Sequence, residues 1–576
     1  MADTRDRVPP HLRRFVVAQD YGAYTAVDHA VWRFVLLQMY DRLRQTAHPA
    51  YARGLSRTGM SVERIPRIDD MDRCLRELGW GAVCVDGFIP PRAFQEFQAL
   101  GILPIAAEMR RVEHLPYTPA PDIIHEAGGH APILPDPEYA AFLRRIGEYA
   151  VRAFASRRDS ELYEAIRRLS VVKEQRDATR EQVAEAERAL AELVAQPAQS
   201  SEAAQLARLY WWTVEYGLVG TPDDYKLYGA GLLSSLAESH FCHDPAVRKL
   251  PLTAACVDVD YDITRPQPQL FVARDFAHLG EVLEQACARF AFRCGGIAGL
   301  HVACAAAEVA TIELDGGLQI TGEVAEVIDD GSQPRVIRLR GPCALGRDGQ
   351  IDPGHGRAAH PHGLVVAFDP QWSGGSAAHF SAGEGARVRI DCTSGLSVEG
   401  RLDQALQVGA GRSVLLAEAR VLRGEQPVWE PPLQPDSVLL VAGPIRAVRA
   451  GAADGSYWPE AEFTAITAPS RREPAGLQRG LQSLYERAAL RVPEHVPELH
   501  ESLQRDHREE WLLRWNLLEL LTARALDAPR RAQLVTELWR LEESFERKNP
   551  IAMGLRYLGY RGDGAGASGE QHSRDG

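Results

Sequence analysis

The hydrophobic pattern of this chain changes period near residue 295, and that change limits its possible folds more than any other feature. Before it, apolar residues recur at three and four spacing, as in "DHAVWRFVLLQMYDRL" (28–43), which predicts amphipathic helices. "RIPRIDDMDRCLRELGW" predicts another helix behind Pro66, with Asp69 and Asp70 suited to its first turn. After "FRCGGIAGL" (292–300) the apolar runs become short and alternating. "ATIELDGGLQITGEVAEVI" predicts a hairpin at Asp315-Gly316-Gly317, and "ARVRIDCTSGLSVEGRL" and "DSVLLVAGPIRAV" continue the texture. We read residues 296–472 as a β-rich domain, a sandwich or a barrel. From 473, "GLQRGLQSLYERAAL" and "REEWLLRWNLLELLTARAL" return to helical spacing, which predicts a helical domain to 562. The tail 563–576, rich in Gly, Ser and charge, reads as disordered. A chain of 576 residues is too long for a single core, so several units fit its length.

Inside the mainly helical first half, 1–295, one stretch stands apart. Residues 166–207 are dense in Ala, Glu, Arg, Leu and Gln, all good helix formers, and are broken by "AQPAQSS". The stretch reads as a helical insertion, either a projecting hairpin or a solvated surface helix. The formal charge of −13 argues against nucleic acid as a partner, because phosphate binding wants a basic face. No apolar run approaches the roughly 20 residues of a membrane span, and the N-terminus has no signal-like apolar core. The nine cysteines include no CxxC pair, and we read them as reduced thiols of a cytoplasmic protein.

Three clusters hold residues of metal-ligand type. In "PDIIHEAGGHAPIL" (121–134), His125 and His130 stand five apart, not at the four-residue spacing of an HExxH zinc helix. On a regular helix the second ring would lie roughly 140° around from the first. Gly128 and Gly129 between them let the backbone leave that geometry. The segment could therefore serve a metal, or it could be a turn with an exposed imidazole. The other clusters, His355, His360 and His362 in "HGRAAHPH" and His240, Cys242 and His243 in "SHFCHD", lack paired zinc spacing and read as solvated side chains. About 80 residues beyond His130, Glu215 stands among Trp211, Trp212, Thr213 and Val214. A carboxylate in such company is expected to be partly buried and to need a partner. Two imidazoles and one carboxylate would make the facial triad of non-haem Fe(II) oxygenases. A pairing of Glu215 with an arginine such as Arg208 is the alternative.

"YTPAPDIIHEAGGHAPILPDPEYAAF" (117–142), "LYWWTVEYGL" and "LYGAGLLSSLAE" resemble the pterin-dependent aromatic amino acid hydroxylases in order and spacing. "DHAVWRF", "VDGFIPPRAF" and "DYDITRPQPQLFVARDF" extend the resemblance over about 15–293, and residues 296–576 lie outside it. It implies a catalytic domain of that fold, with His125, His130 and Glu215 as iron ligands. Gly87, Ile89 and Phe94 match the pterin cradle, with Phe94 stacked on the ring, and Glu126 and Tyr210 match residues beside cofactor and iron. Arg110 matches the arginine that pairs with the substrate carboxylate, held by Asp122. Thr118, Pro121, Trp211, Tyr216, Gly231 and Ser234 match the rest of the amino acid pocket. Departures are Pro104 in place of a histidine, "AGGH" in place of "LxGH", and the 166–207 insertion.

The resemblance further implies a small aromatic amino acid as substrate, with Fe(II), a tetrahydropterin supplying two electrons, and O2. Trp211, where tryptophan hydroxylases generally carry phenylalanine, and Ile263, at a position acidic in tyrosine hydroxylases, select phenylalanine 4-monooxygenase chemistry. Tryptophan or tyrosine hydroxylation is the alternative within the family. Outside it stand a zinc hydrolase with Glu126 as base and a scaffold that keeps an inactive fold. The resemblance also makes residues 1–295 a self-sufficient catalytic unit, leaves an interaction or regulatory role to the rest, and permits an oligomer through the insertion or the C-terminal helices.

Overall fold

The computed structural model describes the chain apart from residues 1–2, 88, 116–121, 175–177, 197–199, 264, 370–384, 409–410, 431–434, 436, 459–475, 544–549 and 561–576. The tail expected to be disordered lies outside the described residues but for its neighbours before 561. The first half is helical around two small sheets. Strands β1 (Gly81–Val85) and β2 (Ile102–Ala106) pair in parallel across the helix α2 (Pro91–Ala99), so their carboxyl ends emerge side by side. A four-stranded sheet includes Leu218–Gly220 and Gln269–Ala273.

The long helix α1 (Ala26–Thr46) begins with a capping box in which Thr25 and Asp28 exchange side-chain and backbone bonds. Val31, Trp32, Phe34, Val35, Leu36 and Met39 are all buried, so the helix is covered on more than one side. Part of that cover comes from the far end of the chain. Helix α5 (Trp511–Ala523) sets Trp511 and Trp515 edge-on against Phe34, with centroids 5.2 and 4.6 Å away. Beside them Arg33 donates to the buried carboxylate of Glu519 at 2.8 Å, and Arg491 meets the same carboxylate at 2.9 Å. One continuous apolar core therefore runs from the first half into the C-terminal helices.

The insertion is a helical hairpin, α3 (Arg157–Glu174) and α4 (Arg180–Ala195), that begins about ten residues earlier than the sequence pattern indicates. Lys173 pairs with Glu187, and Arg158 donates to the Leu193 carbonyl, so the two helices lie antiparallel. Arg167, Leu169, Ser170 and Ala186 are buried, more than a solvated or freely projecting hairpin would bury.

The β-rich part is one eleven-stranded sheet among the described residues. Its path runs Arg387–Asp391, Leu396–Val408, Gly411–Arg423, Val438–Val441, Gly363–Phe368, Pro334–Arg347, Gln319–Asp329, Val309–Leu314, Ile445–Ala450. The two ends do not pair with each other among the described residues, so no barrel closes there. The hairpin after Leu314 forms as expected, with Gly317 at φ 85°. The strands "GLVVAF" and "VLLV" pair in parallel and are apolar throughout because both faces are covered. Leu364, Val366, Phe368, Leu439 and Val441 enter one core, and Val365, Ala367, Val438 and Leu440 enter another.

Candidate metal centre

His125 and His130 lie on a wide π-type segment, Ile124–His130, in place of a regular helix. Bonds from i to i+5 bring residues five apart onto one face, which removes the 140° divergence of an ordinary helix. Of the two glycines, Gly129 is the one the packing demands. A Cβ there would stand 2.6 Å from the Ala230 carbonyl oxygen, whereas one at Gly128 would make ordinary contacts. Glu215 closes a second π-type segment, Trp211–Glu215.

The two segments bring three donor groups together. Nε2 of His125 and Nε2 of His130 are 3.3 Å apart, and each is 3.3 Å from an oxygen of Glu215. Atoms bound to one ion at about 2.1 Å, at angles near 100°, would be spaced this way. Ser234 sets the tautomer. Its hydroxyl donates to the Ala230 carbonyl at 2.7 Å, so it accepts the Nδ1 proton of His125 at 2.9 Å and leaves Nε2 bare toward the site. Among the described residues this is the one group of three His, Cys, Asp or Glu side chains with metal-ligand spacing. The donor set fits a divalent ion open on one face.

The three donor groups are electrostatically coupled to one another. Burial pulls His125 down, but Glu215 opposite outweighs it and lifts the imidazole to about 9. Burial raises Glu215, yet the two imidazoles hold its carboxyl well below the usual range. Burial pushes the Glu126 carboxyl up, and its Oε2 is buried with no hydrogen-bond partner. Arg208 is engaged elsewhere, with Asp260 at 2.7 Å, so the arginine alternative for Glu215 does not occur there.

Around the centre, Arg110 and Asp122 are buried and joined by two bonds, Nε to Oδ2 at 2.7 Å and Nη2 to Oδ1 at 2.8 Å. Nη1 reaches the Ser234 carbonyl at 3.4 Å. The Phe94 ring stands 6.5 Å from His130. Gly87, with φ 61°, donates its N–H to Glu108 at 2.8 Å, and Ile89 is buried nearby in the chain. Tyr210 ends the helix before Trp211 and accepts a bond from Gln98 at 2.8 Å. Burial, then the charge of Glu215, holds its phenol well above the ordinary value. Tyr216 packs on Trp211, and a Cβ at Gly231 would stand 3.1 Å from the Glu215 carbonyl oxygen and from the Tyr216 ring. Ile263 is half-buried. Thr118 and Pro121 lie outside the described residues.

Sequence reasoning missed Tyr261, whose ring stacks on Trp211 at 4.3 Å and 12°, and Gln98 beneath Tyr210. Nothing in the spacing marks either. The other two candidate clusters are not solvated as expected: His355 and His360 are buried and approach each other at 3.3 Å, and Cys242 is buried, while His362 is exposed and His243 bonds to Tyr225.

Residues 20–166 and 181–293 match the family described as biopterin-dependent aromatic amino acid hydroxylase. The first half of this chain is related to that family. The phenylalanine-4-hydroxylase of Ralstonia nicotianae is 32% identical over 237 residues, 40% of this chain and 60% of that protein. The phenylalanine-4-hydroxylase of Chromobacterium violaceum is 30% identical over 233 residues, 40% of this chain and 64% of that protein. The chain thus spans less than two thirds of either relative. A crystal structure of the Chromobacterium violaceum phenylalanine hydroxylase, with bound iron(III) and 7,8-dihydrobiopterin, superposes with a TM-score of 0.38 at 26% identity, covering 50% of this chain and 92% of that one. The family match breaks between 166 and 181, inside the α3–α4 hairpin.

Proposed function

We propose that the hydroxylase-related half converts L-phenylalanine to L-tyrosine. The observation that carries this reading is the triangle of His125, His130 and Glu215 with 3.3 Å edges, held beside a buried arginine and an aromatic wall. Ferrous iron held there would activate O2, with a tetrahydropterin supplying two electrons.

The side chains divide the remaining work. Ser234 keeps the His125 ring oriented, through Nδ1. Asp122 takes Nε and Nη2 of Arg110 and the Ser234 carbonyl takes one Nη1 hydrogen, which leaves the remaining Nη1 and Nη2 hydrogens to receive an amino acid carboxylate. Trp211, stacked on Tyr261 and tilted against Tyr216, forms a wall that excludes water and holds an aromatic ring over the centre. Phe94 offers a face for a pterin ring, and the Oε2 of Glu126, which makes no hydrogen bond and lies 3.8 Å from His130 Nε2, offers an acceptor for its N–H groups. Ile263 offers no partner to a phenol hydroxyl. Burying that group unpaired costs about 1–3 kcal/mol, which favours phenylalanine over tyrosine as substrate.

The test is product analysis of the full chain with Phe, Trp and Tyr, each with tetrahydropterin and Fe(II). Tyrosine from phenylalanine at the highest kcat/KM is expected. Faster turnover of tryptophan at low concentration would assign the site to the other branch. Hydrolytic activity with zinc and none with iron would overturn the oxygenase reading.

A further inference from the structure

The hairpin that interrupts the family match lies against the part of the molecule where the two halves of the proposed pocket begin. β1 and β2 are parallel neighbours, so the segments that follow them start side by side, with the Gly87 N–H donating to Glu108 at 2.8 Å. The first leads to Phe94 and the second to Arg110. Helix α3 is bonded to both. Near its start the Tyr163 hydroxyl donates to the Ile89 carbonyl at 3.0 Å, and near its end the Lys173 carbonyl accepts from Arg111 at 3.5 Å. Ten residues of helix separate these anchors, about 15 Å. Between them Arg167 and Ser170 are buried, on the same helical stripe as Tyr163 at i+4 and i+7.

Ile89 is followed by Pro90 and Pro91, neither of which carries an N–H, and helix α2 begins at Pro91. Tyr163 supplies a donor to the Ile89 carbonyl from α3, and burial raises its phenol, so it stays protonated as a donor.

We propose that α3 roofs the pterin side of the site, and that Tyr163 is a positioning residue which holds Gly87–Phe94 in the shape that receives the cofactor. The inference rests on the hydroxylase reading for the identity of that cofactor. Helix α3 thereby tunes pterin binding and leaves the metal ligands and the Arg110 carboxylate site unaltered.

The test uses the full chain with Tyr163→Phe, which removes one hydroxyl and keeps the ring. The KM for tetrahydropterin is expected to rise about fivefold, the value of one net hydrogen bond. The phenylalanine KM and the iron content should stay within about twofold of wild type. Amide hydrogen exchange of the metal-free protein should quicken over 87–97 and remain unchanged over 124–134. An unchanged pterin KM, with or without faster exchange, overturns the cofactor role of Tyr163, as does an equal rise in both KM values. If the wild-type protein forms no tyrosine, the hydroxylase reading fails, while exchange at 87–97 still decides whether Tyr163 fixes that segment.

Discussion

Trp515→Ala should destabilise the hydroxylase-related half although the residue lies more than 200 positions beyond it. The indole is fully buried, edge-on to Phe34 at 4.6 Å and tilted against Tyr557 at 6.2 Å, and Gly554 admits it with no room for a Cβ. Truncating a buried Trp to Ala costs about 3–5 kcal/mol, with about 0.5–1.5 kcal/mol of that from the aromatic pair. With a urea slope of about 3 kcal/mol/M, the midpoint should fall by about 1 M or more. The assay is urea unfolding followed by two probes, far-UV circular dichroism and retention of iron. Because α1 carries both Phe34 and Leu36, whose methyl lies 3.7 Å from the Cβ direction of Gly128, both probes should shift together. A cycle of Phe34→Leu and Trp515→Leu should show coupling of at least about 0.5 kcal/mol. A C-terminal transition that moves alone, with iron retention at its original midpoint and no coupling, would refute the shared core. The same reasoning makes a 1–295 fragment poorly soluble, because α1 would lose its cover.

Glu215→Ala should leave the fold intact by circular dichroism and reduce both bound iron and tyrosine formation to background; full activity with stoichiometric iron would remove Glu215 from the ligand set. Arg110→Lys keeps the charge but cannot serve Asp122 and a carboxylate with two planar edges, so the phenylalanine KM should rise tenfold or more, by about 1.4 kcal/mol or above, in steady-state kinetics. Glu537 is pushed up by burial, but bonds from His500, Gln504 and Arg514 outweigh this and bring it to about 2. Its folded pKa lies below the unfolded one, so its contribution is present above about pH 4.5 and is lost as pH falls toward 2. Glu537→Gln should flatten the acid side of the stability curve between those pH values, read by urea unfolding across the pH range.

The metal ligands were legible because their residue types are rare together and their order matches a family. The five-residue spacing even signalled a departure from regular helix, and the π-type turn at 124–130 is that departure. The role of Ser234 was not legible, since it depends on which partner takes the hydroxyl proton, and only the Ala230 carbonyl decides that. Tyr261 was missed because a stacking partner from a distant loop leaves no local pattern. The apolar run of α5 reads as helix in sequence, but its partner α1 is about 465 residues away, and periodicity carries no information on such pairings. The two-sided strands of the β-rich part were read as strands without their topology, for the same reason.

The pairing of α1 with α5 also sets a timetable for synthesis. A ribosome adding about 5–20 residues per second reaches Trp511 roughly 25–90 s after completing α1. Through that interval Phe34 and its neighbours have their native cover still unmade. The nascent chain must therefore keep this apolar stripe covered by a chaperone or by provisional contacts until α5 is made and can pack against α1.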